Sequence, residues 1–240
     1  ADFAVAYLNR GKAHSKQGNH DRAIKDYGDV IRLRPEDSAG FYYRGCAYER
    51  QDQLELAVTD FSECIRINPT DANGYRNRGS VHRILGDTTQ AISDYTQAIE
   101  CDSENALAHN GRGLVYASQG DFDTALEDYT RAIEIDPDLA PAHTNRGNAH
   151  TKLGEHERAL ADFSEVVRLR PEDRWSYYRC GRTFDKLGQF KQSIENFGEV
   201  IRLAPEWSKG YWQRGKVREK FGDADGAIAD INRAIELDPE

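Results

Sequence analysis

The stretch GRGLVYASQGDFDTALEDY, residues 111–129, decides the fold. Its outline returns at residues 77–95 as NRGSVHRILGDTTQAISDY and at residues 7–27 as YLNRGKAHSKQGNHDRAIKDY. Working outward, the glycines Gly11, Gly45, Gly79, Gly113, Gly147, Gly181 and Gly215 fall 34 residues apart. The column Ala23, Ala57, Ala91, Ala125, Ala159, Ser193 and Ala227 keeps the same spacing. So does the largely aromatic column Tyr27, Phe61, Tyr95, Tyr129, Phe163, Phe197 and Ile231. Prolines recur at Pro35, Pro69, Pro137, Pro171, Pro205 and Pro239, with Ser103 filling the gap. No insertion breaks the register, and unbroken self-similarity at one period marks a solenoid of stacked units without a central core.

With Ala4 as slot 1 of the first unit, the repeats are 4–37, 38–71, 72–105, 106–139, 140–173, 174–207 and 208–240, read as one domain over 1–240. Slots 1 to 14 read as one helix and slots 18 to about 30 as a second, with apolar residues at three and four spacing, as in Ala125, Tyr129, Ala132 and Ile133. Glycines 18, 86, 120, 154, 188 and 222 separate the helices; Asn19, Asp87, Asp121 and Asp223 read as caps, and the prolines as stops. Small residues at slots 8 and 20 let two helix axes approach, with the slot-24 ring filling the space beside them. Leucine at Ala91 or Ala125 would overpack that contact at a cost of roughly 1–3 kcal/mol.

This pattern resembles the tetratricopeptide repeat family over essentially the whole chain. Glycine at slot 8, alanine at 20, an aromatic at 24 and proline at 32 all follow it. Slot 27 is the loosest match, with Val30, Cys64, Val166 and Val200 departing from alanine. The resemblance implies an all-α fold, a right-handed α-solenoid superhelix of antiparallel helix pairs. It also implies a concave groove lined by the first helices at slots 2, 5, 6, 9, 12 and 13, and a scaffold that binds peptides or protein partners.

Charge is sorted by helix. The formal net charge is −9, yet slots 1 to 14 hold 20 of the 32 Lys and Arg residues and only three acids, Glu49, Asp185 and Glu219. Two columns lose charge together in the sixth repeat. Slot 7 runs Arg10, Arg44, Arg78, Arg112, Arg146, Cys180, Arg214; slot 23 runs Asp26, Asp60, Asp94, Asp128, Asp162, Asn196, Asp230. A half-buried arginine needs a carboxylate, so the sequence predicts structural Arg–Asp pairs within repeats, with Cys180 and Asn196 as a neutral replacement.

The implied groove holds two patches of aromatic and basic residues, a frequent composition at interface hot spots. One has Tyr42, Tyr43, Arg50, Arg76, Asn77 and Arg83; the other has Trp175, Tyr178, Arg179, Arg182, Lys209, Trp212 and Lys216. Packing between repeats is the plainer account of the tryptophans, and simple solvation that of the charges. Between the patches lie Asn110, Asn145 and Asn148. The two-carboxylate clamp of chaperone-binding members would use Thr144, Asn148, Arg179, Lys209 and Gln213, of which only Asn148 and Lys209 match its residue types. An asparagine ladder at slot 6, which would hold an extended peptide backbone, is half present as Asn9, Asn77 and Asn145.

No phosphate-binding loop, dinucleotide fingerprint or HExxH occurs, the histidines follow the repeat, and the reading is of a non-enzymatic protein without metal or cofactor. The basic helices could attract nucleic acid, but the net charge opposes it. No run of about 20 apolar residues is present to span a membrane. Cys46, Cys64, Cys101 and Cys180 fall in four different slots, as suits a reducing, cytoplasmic setting rather than a disulfide framework. The uncovered Ile228, Ile231 and Ile235 lead us to expect a longer parent chain or end-to-end self-association. The function expected is binding of an acidic peptide or protein partner; the alternatives are a spacer between other domains and a nucleic-acid-binding repeat.

Overall fold

The computed structural model describes residues 3–238, so Pro239 of the proline column lies outside the described residues. Among the described residues every regular element is an α-helix. The chain forms two compact units, one ending at Gln119 and the other beginning at Gly120, each taken here by itself. The first holds α1 (Phe3–Lys16), α2 (His20–Leu33), α3 (Ser38–Arg50), α4 (Leu54–Ile67), α5 (Ala72–Leu85), α6 (Thr88–Cys101) and α7 (Ala106–Ser118). The second holds α8 (Phe122–Ile135), α9 (Ala140–Leu153), α10 (His156–Leu169), α11 (Arg174–Lys186), α12 (Phe190–Leu203), α13 (Ser208–Phe221) and α14 (Ala224–Leu237). Within each unit, consecutive helices pack on one another in chain order.

Local chemistry sets the helix ends. Asp87, Asp121 and Asp223 accept from the backbone N–H of Gln90, Thr124 and Gly226, capping α6, α8 and α14. Asn19 does not cap α2: its amide turns to Gln17 instead, at 3.4 Å. Four caps on first helices were not read from the sequence: Asp37, Asp71, Asn105 and Asp173. The second helices stop at slot 30, two residues before the prolines; α6 stops at the same place, Cys101, with Ser103 instead of proline. The link between paired helices needs a left-handed residue. Glycine supplies it in six repeats, and Asp52, with φ 59°, supplies it in the second.

The core is a string of small clusters. Ala23, Tyr27 and Ala47 form one; Ala57, Phe61 and Val81 another; Ala159, Phe163 and Cys180 a third. Each joins a second helix to the first helix of the following repeat. The slot-24 ring lies directly on the slot-8 glycine of its own repeat. A Cβ at Gly11 would come 2.6 Å from Cε1 of Tyr27, and one at Gly45 would come 2.9 Å from Cε1 of Phe61. Burying such a ring stabilises by roughly 1.5–3 kcal/mol, which exceeds the roughly 1 kcal/mol that glycine sacrifices inside a helix. On α14, Ile228 and Ile235 are exposed, whereas Ile231 packs against Gly215. No helix of the described residues is long and apolar enough to cross a membrane.

Candidate binding grooves

The slot-7 arginines hold the helices that carry the groove residues. Arg10 meets Asp26 through Nε at 2.9 Å and Nη2 at 2.6 Å, and Arg44 meets Asp60 at 2.7 and 2.8 Å. Arg78 with Asp94, Arg146 with Asp162 and Arg214 with Asp230 repeat this two-pronged contact. Each aspartate is almost fully buried, so the fork is what makes its charge tolerable there. Arg112 lies in α7 and the buried Asp128 in α8. The sequence reading missed the arginine's third contact. Arg78 Nη1 donates to Ser62 Oγ at 3.0 Å, Arg112 Nη1 to Thr96 Oγ1 at 3.1 Å and Arg146 Nη1 to Thr130 Oγ1 at 3.3 Å. These acceptors occupy slot 25 of the preceding repeat, a column of small residues that also includes Gly28, Ser164 and Gly198. In the sixth repeat Cys180 is buried near Ser164, while Asn196 turns back to the carbonyl of Gln192 at 2.8 Å.

The patch in the first unit is largely consumed by its own surroundings. Tyr43 stacks on Tyr27 with centroids 5.7 Å apart and carries Lys12 over its face at 4.2 Å. Tyr42 packs edge-on against Phe61 at 6.2 Å. Asn77 is buried and donates to Cys46 Sγ at 3.7 Å, and Asn110 is buried too. Glu49 lies near Arg50, Arg76 and Arg83, and burial holds its carboxyl above the usual range. Among the described residues none of the three arginines forms an ion pair with it, and Nε of Arg76 and of Arg83 is buried without a hydrogen-bond partner. Arg83 lies near the hydroxyl of Tyr95.

The second unit differs. Trp175, Arg179, Arg182 and Lys186 recur along α11 at helical spacing and form one stripe. They line a cavity of about 680 Å³ with Asn148, Thr151 and Lys152 of α9 and His156 of α10. None of its lining residues is a carboxylate. Asp185, the one acid on α11, is held by Lys220 of α13 at 2.6 Å. Trp175 and Arg179 also border a neighbouring cavity of about 520 Å³ with Thr144, Asn145 and Arg170.

Glu49 and Asp185 occupy the same slot, 12, so the difference lies one repeat further on. Lys220 stands 35 residues after Asp185, whereas the residue 35 after Glu49 is Ile84, which cannot bind a carboxylate. This pair of positions was the signal in the sequence that Asp185, unlike Glu49, is tied to the following repeat.

The residues of the sequence-read patch in this unit are divided between two cavities. Tyr178 is only 7% exposed and packs with Phe197, Val200 and Val217, its hydroxyl accepting from Gln213 at 3.1 Å. Its burial follows from the ring cluster around it: Trp207 lies 5.4 Å away, and Trp207 in turn meets Trp175 edge-on at 4.9 Å. Lys209 reaches over the Tyr178 ring at 5.8 Å. Trp212 pairs with Lys216 at 4.4 Å and, with Lys209, borders a separate cavity of about 470 Å³ against Ile231 and Ile235. Lys152, Lys186 and His156 were not singled out from the sequence, although slot 13 holds both lysines. Among the described residues no group of three metal-ligating side chains occurs.

Comparison with known proteins bears on the whole chain. A family model described as TPR repeat matches residues 79–120 and 113–154. Models described as tetratricopeptide repeat match 4–37 and 140–173, 38–71, and 178–240. No curated protein matches the sequence. Among solved structures, the chain is similar to YrrB, described as a TPR protein with an unusual peptide-binding site. That match has a TM-score of 0.68 and 22% identity, covering 75% of this chain and 93% of the other. A tetratricopeptide repeat protein from Parabacteroides merdae gives 0.69 at 18% identity, covering 99% and 94%. The thermophilic TPR protein TTC0263 of Thermus thermophilus gives 0.63 at 20% identity, covering 75% and 98%. Likeness at these identities concerns the fold.

Proposed function

Since the chain belongs to the tetratricopeptide repeat family, we propose that it is a protein-interaction scaffold whose second unit takes an extended, acidic segment of a partner along α11. The observation that carries this reading is the uncompensated stripe. Arg179, Arg182, Lys186 and Lys152 stand around one cavity, and no ion pair among the described residues engages any of them. A carboxylate entering there meets free guanidinium forks and loses little competition to the protein's own acids. Trp175, 43% exposed, gives an apolar residue of the same segment a flat surface beside those charges. YrrB, similar in fold, is described as having a peptide-binding site.

Such a ligand site differs from the chaperone-tail clamp, whose residue types this chain matches only at Asn148 and Lys209; Gln213 is already bonded to Tyr178. Four free thiols suit a reducing compartment such as the cytoplasm. End-to-end association is a second reading, favoured by Ile228 and Ile235 at 59% and 55% exposure. Concentration-dependent sedimentation that vanishes in Ile228→Lys/Ile235→Lys supports it, and a monomer at all concentrations removes it.

The binding reading is tested by displaying unrelated peptides against the purified protein and against Arg179→Glu. A recurrent acidic motif that disappears with the variant is the expected result. Absence of enrichment favours a passive spacer, and steep salt dependence whatever the competing peptide favours nucleic acid.

A further inference from the structure

We infer that the cavity on α11 recognises a phosphorylated side chain within that acidic segment, a refinement that rests on the proposed reading. The basis is the number and layout of cations. One carboxylate has two oxygens and one charge, which a single arginine fork satisfies. This cavity presents two arginines one helical turn apart, Arg179 and Arg182, with Lys186 a further turn along and Lys152 facing them from α9. At about 1.5 Å rise per residue, Arg179 and Lys186 are separated by roughly 10 Å of helix, within reach of a common point for side chains of their length. A phosphate monoester brings about −1.5 to −2 charges and three strong acceptor oxygens, which match convergent donors from successive turns.

Two further observations point the same way. Asp185 is adjacent in sequence to Lys186 yet is drawn off to Lys220, at 2.6 and 2.8 Å. The stripe therefore keeps its full charge. In the first unit the residue at the same slot, Glu49, has no such lysine one repeat on and stays near its arginines. His156 of α10 adds a ring to the lining. Trp175 closes the end of the stripe, placing an apolar neighbour of the phosphorylated residue about two turns from Arg182.

Three degenerate peptide pools, identical except for a fixed central serine, glutamate or phosphoserine, test this against the intact chain. Retention of the phosphoserine pool at least tenfold above the glutamate pool is expected, with serine lowest. In Arg182→Gln/Lys186→Gln, exposed positions of α11 whose folding is checked by circular dichroism, the phosphoserine advantage should collapse to less than twofold. Glutamate retained as well as or better than phosphoserine overturns the phosphate inference and leaves the acidic-segment reading standing. A phosphoserine advantage that survives the double variant also overturns it, since the group then binds elsewhere. Retention of no pool removes both readings.

Discussion

Gly147 and Gly181 fill the same slot but not the same space. A Cβ on Gly147 would come 2.6 Å from Cε1 of Phe163, and one on Gly181 would come 3.1 Å from Cε1 of Phe197. Gly147→Ala should therefore destabilise by about 1–3 kcal/mol through overpacking. Gly181→Ala should be near neutral, because the gain of about 1 kcal/mol in helix propensity offsets milder crowding. Urea midpoints of the two variants check the order. The left-handed Asp52 offers the opposite experiment: Asp52→Gly should raise stability by about 0.5–1 kcal/mol by relieving strain that six sister glycines avoid. The thiols separate by burial. Burial pushes Cys46 and Cys180 up to about 11 and Cys64 up to about 12, while Cys101 is exposed. Alkylation at pH 8, mapped by mass spectrometry, should label Cys101 first. A thiol whose folded pKa is raised stabilises the fold below its unfolded value, roughly 8.5, and that contribution is lost as pH rises towards 11. Stability should fall over that window, measured by thermal melts at stepped pH.

Between elements, the arginine forks set which substitutions are tolerated. Asp60 is 3% exposed and depends on Arg44, so Arg44→Met should cost about 3–5 kcal/mol. Asp162 has Arg146 and also His143 at 3.4 Å, so Arg146→Met should cost less. Adding Asp60→Asn to Arg44→Met should recover most of the loss, since the sixth repeat already runs with Cys180 and Asn196. Equal losses in the two single variants, by urea titration, would count against this account. The partnership of slots 7 and 23 was legible because both columns change in one repeat. The slot-25 contact was not, because a glycine, serine or threonine advertises nothing until a neighbour is seen reaching for it. Asn77 shows the converse. Its type suggested a hand offered to a peptide, but its place in α5 turns it onto Cys46.

At the scale of the molecule, the period made the helices and their order readable, since every unit restates the same packing problem. Charge sorting was equally plain. Which acid is drawn away from its basic patch was harder, because it turns on Ile84 and Lys220, residues one repeat away from Glu49 and Asp185. That distinction yields a prediction: Arg179→Glu should weaken binding of an acidic peptide at least tenfold, and Arg76→Glu less than twofold, by fluorescence anisotropy. Raising salt from about 0.05 to 0.5 M should weaken the wild-type interaction several-fold, as screening of exposed charges requires. The arginine clamp also has a genetic side. From Ser62 through Arg78 to Asp94 it extends 16 residues either way, inside one 34-residue period. A tandem duplication or deletion of one whole period keeps slots 7, 23 and 25 in register, so away from the sixth repeat it delivers each arginine with its aspartate already in place. Recombination can lengthen or shorten this chain without first inventing a new contact.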